Sequence, residues 1–90
     1  MKNFSAKIIV KMKPTVNDIK GSTLKNAIES FMNVKNLSCT VGCYYILNLS
    51  AHNQVEALNT VEKISQELLA NDVIETYEIT DLKEFNLKDI

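Results

Sequence analysis

Polar and apolar residues alternate from the start of the chain. Phe4, Ala6, Ile8, Val10 and Met12 fall on one side of an extended backbone and Ser5, Lys7, Lys11 and Lys13 on the other. Ile9 alone breaks the rhythm, and Pro14 ends the strand by withdrawing a ladder donor. Residues 15–21 read as a loop, with Asp18 or Ser22 available to cap a helix. The period then changes. Leu24, Ala27, Ile28, Phe31 and Met32 recur at helical spacing and predict about three turns with one apolar stripe. A polar turn at 33–36 follows. Residues 37–41 and 43–51 read as two strands, or as one long strand bent at Gly42. Tyr45, Leu47, Leu49 and Ala51 share one face of this second part.

Asn53-Gln54-Val55-Glu56 has the form of a capping box. Val55, Leu58, Val61, Ile64 or Ser65, and Leu68 are the expected buried stripe of the second helix. Asn71 suits a helix stop, and Val73 to Thr80 reads as the last strand. Residues 1–80 are therefore expected to form a single α+β domain. Residues 81–90 are expected to be a C-terminal extension, with Leu82, Phe85 and Ile90 at loose helical spacing.

The order strand, helix, strand, strand, helix, strand (βαββαβ) implies a two-layer sandwich. Two helices would cover one face of a mainly antiparallel sheet, and right-handed crossovers would make it ferredoxin-like. Such a sheet needs one apolar face. Ile9, Tyr44 and Ile46 supply apolar surface to the other, the pattern expected of a self-association interface.

Ninety residues with 46% hydrophobic content make one small domain and not a disordered tail. A domain of this size buries only roughly 60 to 65% of its unfolded surface, which favours association. The net charge is −1, and all ten basic residues are lysines. Without arginine there is no guanidinium fork for phosphate, carboxylate or guanine, so nucleic acid and anionic membrane are not expected partners. No apolar run reaches the ~18 residues a bilayer span requires, and the chain reads as cytoplasmic.

Catalytic chemistry is sparse. Gly21 and Gly42 are the only glycines, so no glycine-rich phosphate loop exists. Cys39 and Cys43, four residues apart, would lie about 13 Å apart on a strand and cannot bond there. With His52 as the only histidine they do not complete a zinc site. His52 is too far along an extended strand to serve Cys43 as a base. Asp18 reads as a helix cap, Glu75 as an edge charge, and Lys11 and Lys13 as solvated or acid-holding lysines. No catalytic residue, cofactor site or metal site is expected in this chain.

Three segments together resemble one family. Val10-Lys11-Met12-Lys13-Pro14-Thr15-Val16-Asn17-Asp18-Ile19-Lys20-Gly21 is similar to a Lys-Pro, Val-x-Asp, Gly signature. Cys39-Thr40-Val41-Gly42-Cys43 matches a Val-Arg-x-Gly-Lys element at its valine-like and glycine positions. Leu68-Leu69-Ala70-Asn71-Asp72-Val73-Ile74-Glu75-Thr76-Tyr77 resembles Leu-Leu-Ala-Asn-Pro-Val-Ile-Glu-x-Tyr. These are features of the PurS family, the small subunit of phosphoribosylformylglycinamidine synthase in purine biosynthesis. The likeness spans about residues 5–80. Thr40 and Cys43 stand where the family carries arginine and lysine, and Asp72 where it carries proline.

The resemblance implies a non-catalytic, homo-oligomeric adaptor, dimeric or tetrameric. It would bridge a large ATP-using synthetase subunit and a glutaminase subunit and support ammonia transfer between them. ATP and magnesium belong to the complex and not to this chain. It assigns docking or structural roles to Lys13, Pro14, Asp18, Gly21, Gly42, Asn71 and Glu75. On the residues alone, a ferredoxin-like regulatory module binding a small molecule is the alternative, and a stand-alone cysteine enzyme a third.

Overall fold

The computed structural model describes residues 1–86. Strand β1 (Lys2–Met12) leads through a loop to helix α1 (Ile19–Phe31). Strand β2 (Gly42–Ala51), helix α2 (Gln54–Ile64) and strand β3 (Glu75–Phe85) follow, with a π-helical turn, Ser65–Leu69, closing α2. The sheet order is β2-β1-β3, and both neighbours run antiparallel to β1. β2 and β3 are therefore parallel to each other, and α2 crosses over the central strand between them.

The alternation in β1 sets the register. Phe4, Ala6, Ile8 and Val10 are buried and face Leu49, Leu47, Tyr45 and Cys43 of β2. Ala6, Ile8 and Val10 also pair with Leu82, Ile79 and Tyr77 of β3. Thr80 is left over in β3, a bulge beside Lys7, and its hydroxyl donates to the Lys7 carbonyl at 3.3 Å.

The α+β class, the antiparallel sheet and the two helices match the expected architecture, but the bounds differ: α1 begins at Ile19, inside the expected loop 15–21, and the last strand begins at Glu75 and not Val73, because residues 72–74 form a turn. Around Gly42 neither reading holds in full: residues 37–41, expected as a strand or as the first part of a bent one, join no ladder, and a single strand begins at Gly42. β3 runs on to Phe85, so residues 81–85 belong to the sheet: Leu82 opposite Ala6 and Phe85 opposite Asn3 keep the ladder going. Ile90, placed in the expected extension, lies outside the described residues.

The stripe of α2 is shifted from expectation. Ala57, Val61 and Ser65 are fully buried, while Val55 is 68% and Leu68 79% exposed and Leu58 is also exposed. Small Ala57 and Ser65 let the helix backbone close onto the sheet around Val61. The wide turn then adds a residue, with the Ala70 N–H bonding the Ser65 carbonyl at 2.9 Å. That extra residue turns Leu69 and Ala70 inward and Leu68 out.

α1 behaves differently. Its spacing is helical as expected, yet none of its side chains joins either buried cluster among the described residues. Ile19 is 71% and Phe31 90% exposed. The molecule is correspondingly thin and long, 52 × 31 × 16 Å. Its radius of gyration is 17.1 Å, against about 12 Å for a compact domain of this length.

Candidate functional site

The seven residues singled out from sequence converge on one end of the sheet, where β1 finishes and β2 and β3 begin. Asp18 organises it. It sits at the N-cap of α1, where its Oδ1 accepts the Gly21 N–H at 2.9 Å. Oδ2 accepts the Val41 N–H, also at 2.9 Å, from the segment entering β2. These two amides, Val41 first and then Gly21, hold the carboxyl below its ordinary value, and Lys20 adds to the effect.

Gly21 is buried because the helix presses against the chain before β2. A Cβ there would collide with the Cys39 carbonyl oxygen and lie 2.7 Å from Asp18 Oδ2. Its φ is not positive, so the requirement is steric and not conformational. Gly42 has the same reason: a Cβ would press on the Val10 carbonyl and approach Lys11 Cβ to 3.2 Å. The two glycines thus allow α1 and β2 to meet β1 at close range.

Asn71 and Glu75 form a second clasp. The Glu75 Oε1 accepts the Asn71 N–H at 2.9 Å, and Asn71 Oδ1 accepts the Val73 N–H at 3.1 Å. The Asn71 carbonyl accepts from Ile74 and Glu75 at 3.1 and 2.7 Å. Lys13 joins through its backbone, its N–H donating to the Ile74 carbonyl at 2.8 Å. Glu75 is therefore the half-buried first residue of β3, its carboxylate tied back to the turn before it, and not simply an exposed edge charge. Pro14 follows Lys13 in an exposed turn, where the Val16 N–H bonds back to the Lys13 carbonyl at 3.0 Å.

Between these clasps lies an open cleft of about 350 Å³, lined by Val10, Met12, Ile19, Gly42 and Cys43 with Asp18 and Glu75. A smaller one of about 170 Å³ beside it brings Lys13 and Pro14 against Asp18 and Thr40. Tyr45 stands two residues from Cys43 on the same strand face. Repulsion from negative charge on the Cys43 sulfur, with a smaller contribution from Glu75, raises the Tyr45 phenol above the usual tyrosine range. Sequence reasoning missed Tyr45 and Val41. Same-face spacing on β2 could have found the first; nothing in the residue type could have found the second, whose part is played by backbone.

The chemistry of this corner is that of joints. Asp18 gives each of its oxygens to a backbone amide, the work of a joint. His52 is exposed at the far end of β2, and its Nδ1 meets Glu56 Oε2 at 2.9 Å. The other half of the capping box holds, with Asn53 Oδ1 accepting the Glu56 N–H at 2.9 Å. Among the described residues no group of three or more His, Cys, Asp or Glu side chains is placed to hold a metal ion. No described helix is long and apolar enough to cross a membrane.

Comparison with known proteins assigns the chain. The profile of the PurS family, described as phosphoribosylformylglycinamidine (FGAM) synthase, matches residues 5–83. The phosphoribosylformylglycinamidine synthase subunit PurS of Thermotoga maritima is 29% identical over 79 residues, covering 88% of this chain and 96% of that protein. Among solved structures, PurLQS from Thermotoga maritima contains a chain that superposes with TM-score 0.80 at 28% identity, over 94% of this chain and 100% of that one. PurS of Thermus thermophilus shares the fold with TM-score 0.80 at 24% identity, over 93% and 99% of the two chains. A family match along most of its length, carried on the same sheet and helices, makes this chain a member of the PurS family of FGAM synthase subunits.

Proposed function

We propose that this chain is the adaptor subunit of a multi-subunit FGAM synthase in purine biosynthesis, joining an ATP-dependent synthetase subunit to a glutaminase subunit. The observation that carries this is the family match over residues 5–83, on a chain whose best-built corner consists of joints and not reacting groups. The existence of a solved PurLQS assembly containing a chain of this shape supports it. In this reading ATP and magnesium are used by the synthetase subunit. The chain works by position, raising the effective concentration of the ammonia-producing site beside the ammonia-consuming one.

The corner formed by Lys13, Pro14, Asp18, Gly21, Gly42, Asn71 and Glu75 is the proposed docking end. Asp18, Gly21, Gly42, Asn71 and Glu75 hold the three chain segments in shape, and Lys13 and Pro14 present that shape outward. Self-association accompanies docking. Among the described residues the apolar stripe of α1 is largely exposed at Leu24, Phe31 and Met32, and the sheet face opposite α2 exposes Ile9, Tyr44 and Ile46. A cytoplasmic setting goes with the role.

The test is reconstitution. The chain is mixed with cognate synthetase and glutaminase, and FGAM formation is followed with glutamine or with ammonium as the nitrogen source. Glutamine-dependent synthesis should require the chain, while ammonium-dependent synthesis should not. Equal glutamine-dependent rates with and without it overturn the proposal, as does turnover by the chain alone.

A further inference from the structure

A trough runs between α2 and β3. Gln54, Leu58 and Glu62 stand four residues apart on the helix and make its wall, which Gln66 in the closing turn prolongs. β3 makes the floor, where Tyr77, Ile79 and Leu82 pack at the rim of the core and are only half-buried. A cleft of about 530 Å³ lies over Leu82, Ile79 and Tyr77, and one of about 390 Å³ carries on from Tyr77 to Glu75 and Lys13. Because both are lined by Tyr77, they form one channel. It follows about 18 Å of helix, roughly three turns.

The charge of this trough is one-sided. Glu62 on the wall, Asp81 on the strand, and Asp72 and Glu75 at the far end are carboxylates, while Lys13 is the single cation among the described residues that line it. Asp81 is shared with Lys83 at 3.8 Å and Glu75 gives one oxygen to the Asn71 N–H. Glu62 and Asp72 are exposed.

We infer that the trough receives a helix of about three turns from one of the two partner subunits, apolar where it meets Tyr77, Ile79 and Leu82 and carrying lysine or arginine along its flanks. This rests on the adaptor reading above and names the chemistry of one contact. A helix suits the place better than a strand. The wall is a row of side chains four apart, the ridge against which helices pack. The edge of β3 discourages strand addition, with Glu78, Lys83 and Glu84 along it and a bulge at Thr80. Excess carboxylate makes the matching surface basic. The chain's own exposed helix, α1 of a second copy, supplies that charge poorly: Lys25 is paired with Glu29 at 3.4 Å, and Lys20 acts on Asp18. The trough opens at Lys13 and Glu75, both part of the proposed docking end, so a subunit seated there continues into it.

The experiment titrates the full-length protein with the synthetase and the glutaminase, singly and together, at low and high salt. The double variant Glu62→Lys, Asp72→Lys reverses two exposed charges. It should keep the wild-type circular dichroism spectrum and sedimentation mass and bind its partner at least about tenfold more weakly at low salt, with the difference shrinking at high salt. The milder pair Glu62→Gln, Asp72→Asn should fall between the two. Leu58→Gln, on the wall, should weaken binding by a factor that salt does not change. Wild-type protein that binds neither subunit, alone or mixed, overturns the adaptor reading and this one together. Wild type that binds while the folded reversed variant binds equally well overturns the trough alone. A reversed variant that stays folded but loses its sedimentation mass assigns the trough to contact between copies and likewise overturns this inference.

Discussion

Asp18 and Val41 are twenty-three positions apart in the chain and 2.9 Å apart in space, carboxylate oxygen to amide nitrogen. With the second carboxylate oxygen on the Gly21 N–H, one side chain fixes both the start of α1 and the entry to β2. Since, among the described residues, α1 places no side chain in either buried cluster, this clasp is a principal tie between it and the sheet. Replacing Asp18 with alanine should lower Tm by roughly 4–8 °C, the shift that losing one helix cap brings to a domain of this size. Amide exchange in α1 should accelerate before exchange in β1 does.

The same clasp makes stability depend on acid. The folded carboxyl is held below its ordinary value of 3.8 by the two amides, so folding favours the ionised form. Its contribution is complete above the unfolded value and is lost as pH falls through the folded one. Asp18→Asn keeps one acceptor oxygen and strands one amide. Wild type should therefore be more stable than Asp18→Asn at neutral pH, and their melting temperatures should converge as pH drops beneath the carboxylate range. Parallel melting curves at every pH would count against the assignment.

Gly21→Ala is expected to be worse than Asp18→Ala, although it adds only a methyl. The new carbon meets the Cys39 carbonyl, a backbone atom that cannot swing away, and crowds the Asp18 carboxylate as well. Thermal melting should show the larger loss. In a reconstituted complex this variant should also lose glutamine-dependent synthesis more than ammonium-dependent synthesis.

Two buried positions separate packing from hydrogen bonding. Phe4 is 1% exposed at the foot of β1 against Ala51 and Ala57, and its truncation to alanine should cost about 3–5 kcal/mol. Ser65 is equally buried, but its hydroxyl only donates at 2.8 Å to the Val61 carbonyl within its own helix. Ser65→Ala removes the donor without orphaning a buried N–H and should change stability by less than about 1 kcal/mol. Chemical denaturation of the pair checks both.

Cysteine chemistry is not part of the proposed role. The double variant Cys39→Ser, Cys43→Ser should fold and support glutamine-dependent synthesis in the reconstituted complex at the wild-type rate. Loss of activity with retained folding would revive the cysteine-enzyme alternative.

What the sequence made legible was periodicity. β1 read correctly because its alternation is nearly unbroken and one face meets α2. The cap at Asp18 was visible because a carboxylate has one common use at such a position. Asn71 was expected to stop the helix, but the stop falls at Ala70 with no left-handed residue, and Asn71 shapes the turn into β3 instead. The buried face of α2 was legible only in part: Val61 and Ser65 lay on the expected stripe, but small Ala57 wins the sheet by allowing close approach while larger Val55 and Leu58 lose it. The extent of β3 was obscured by the bulge at Thr80, which breaks the alternation just where the strand carries on. The Val41 half of the clasp lay beyond reach because a backbone amide leaves no mark in residue type. Apolar Ile9, Tyr44 and Ile46 were recognisable as surplus, because one covered face had no use for them.

A plate only 16 Å through has scarcely any depth in which a substitution can hide. Most positions are close to one outer surface or the other, so a replacement that suits the interior also reshapes a contour that something else must fit. Drift in this polypeptide should accordingly be matched, position by position, by drift in the proteins that lie against it. Exchange between distant species should fail at those contours before it fails at folding.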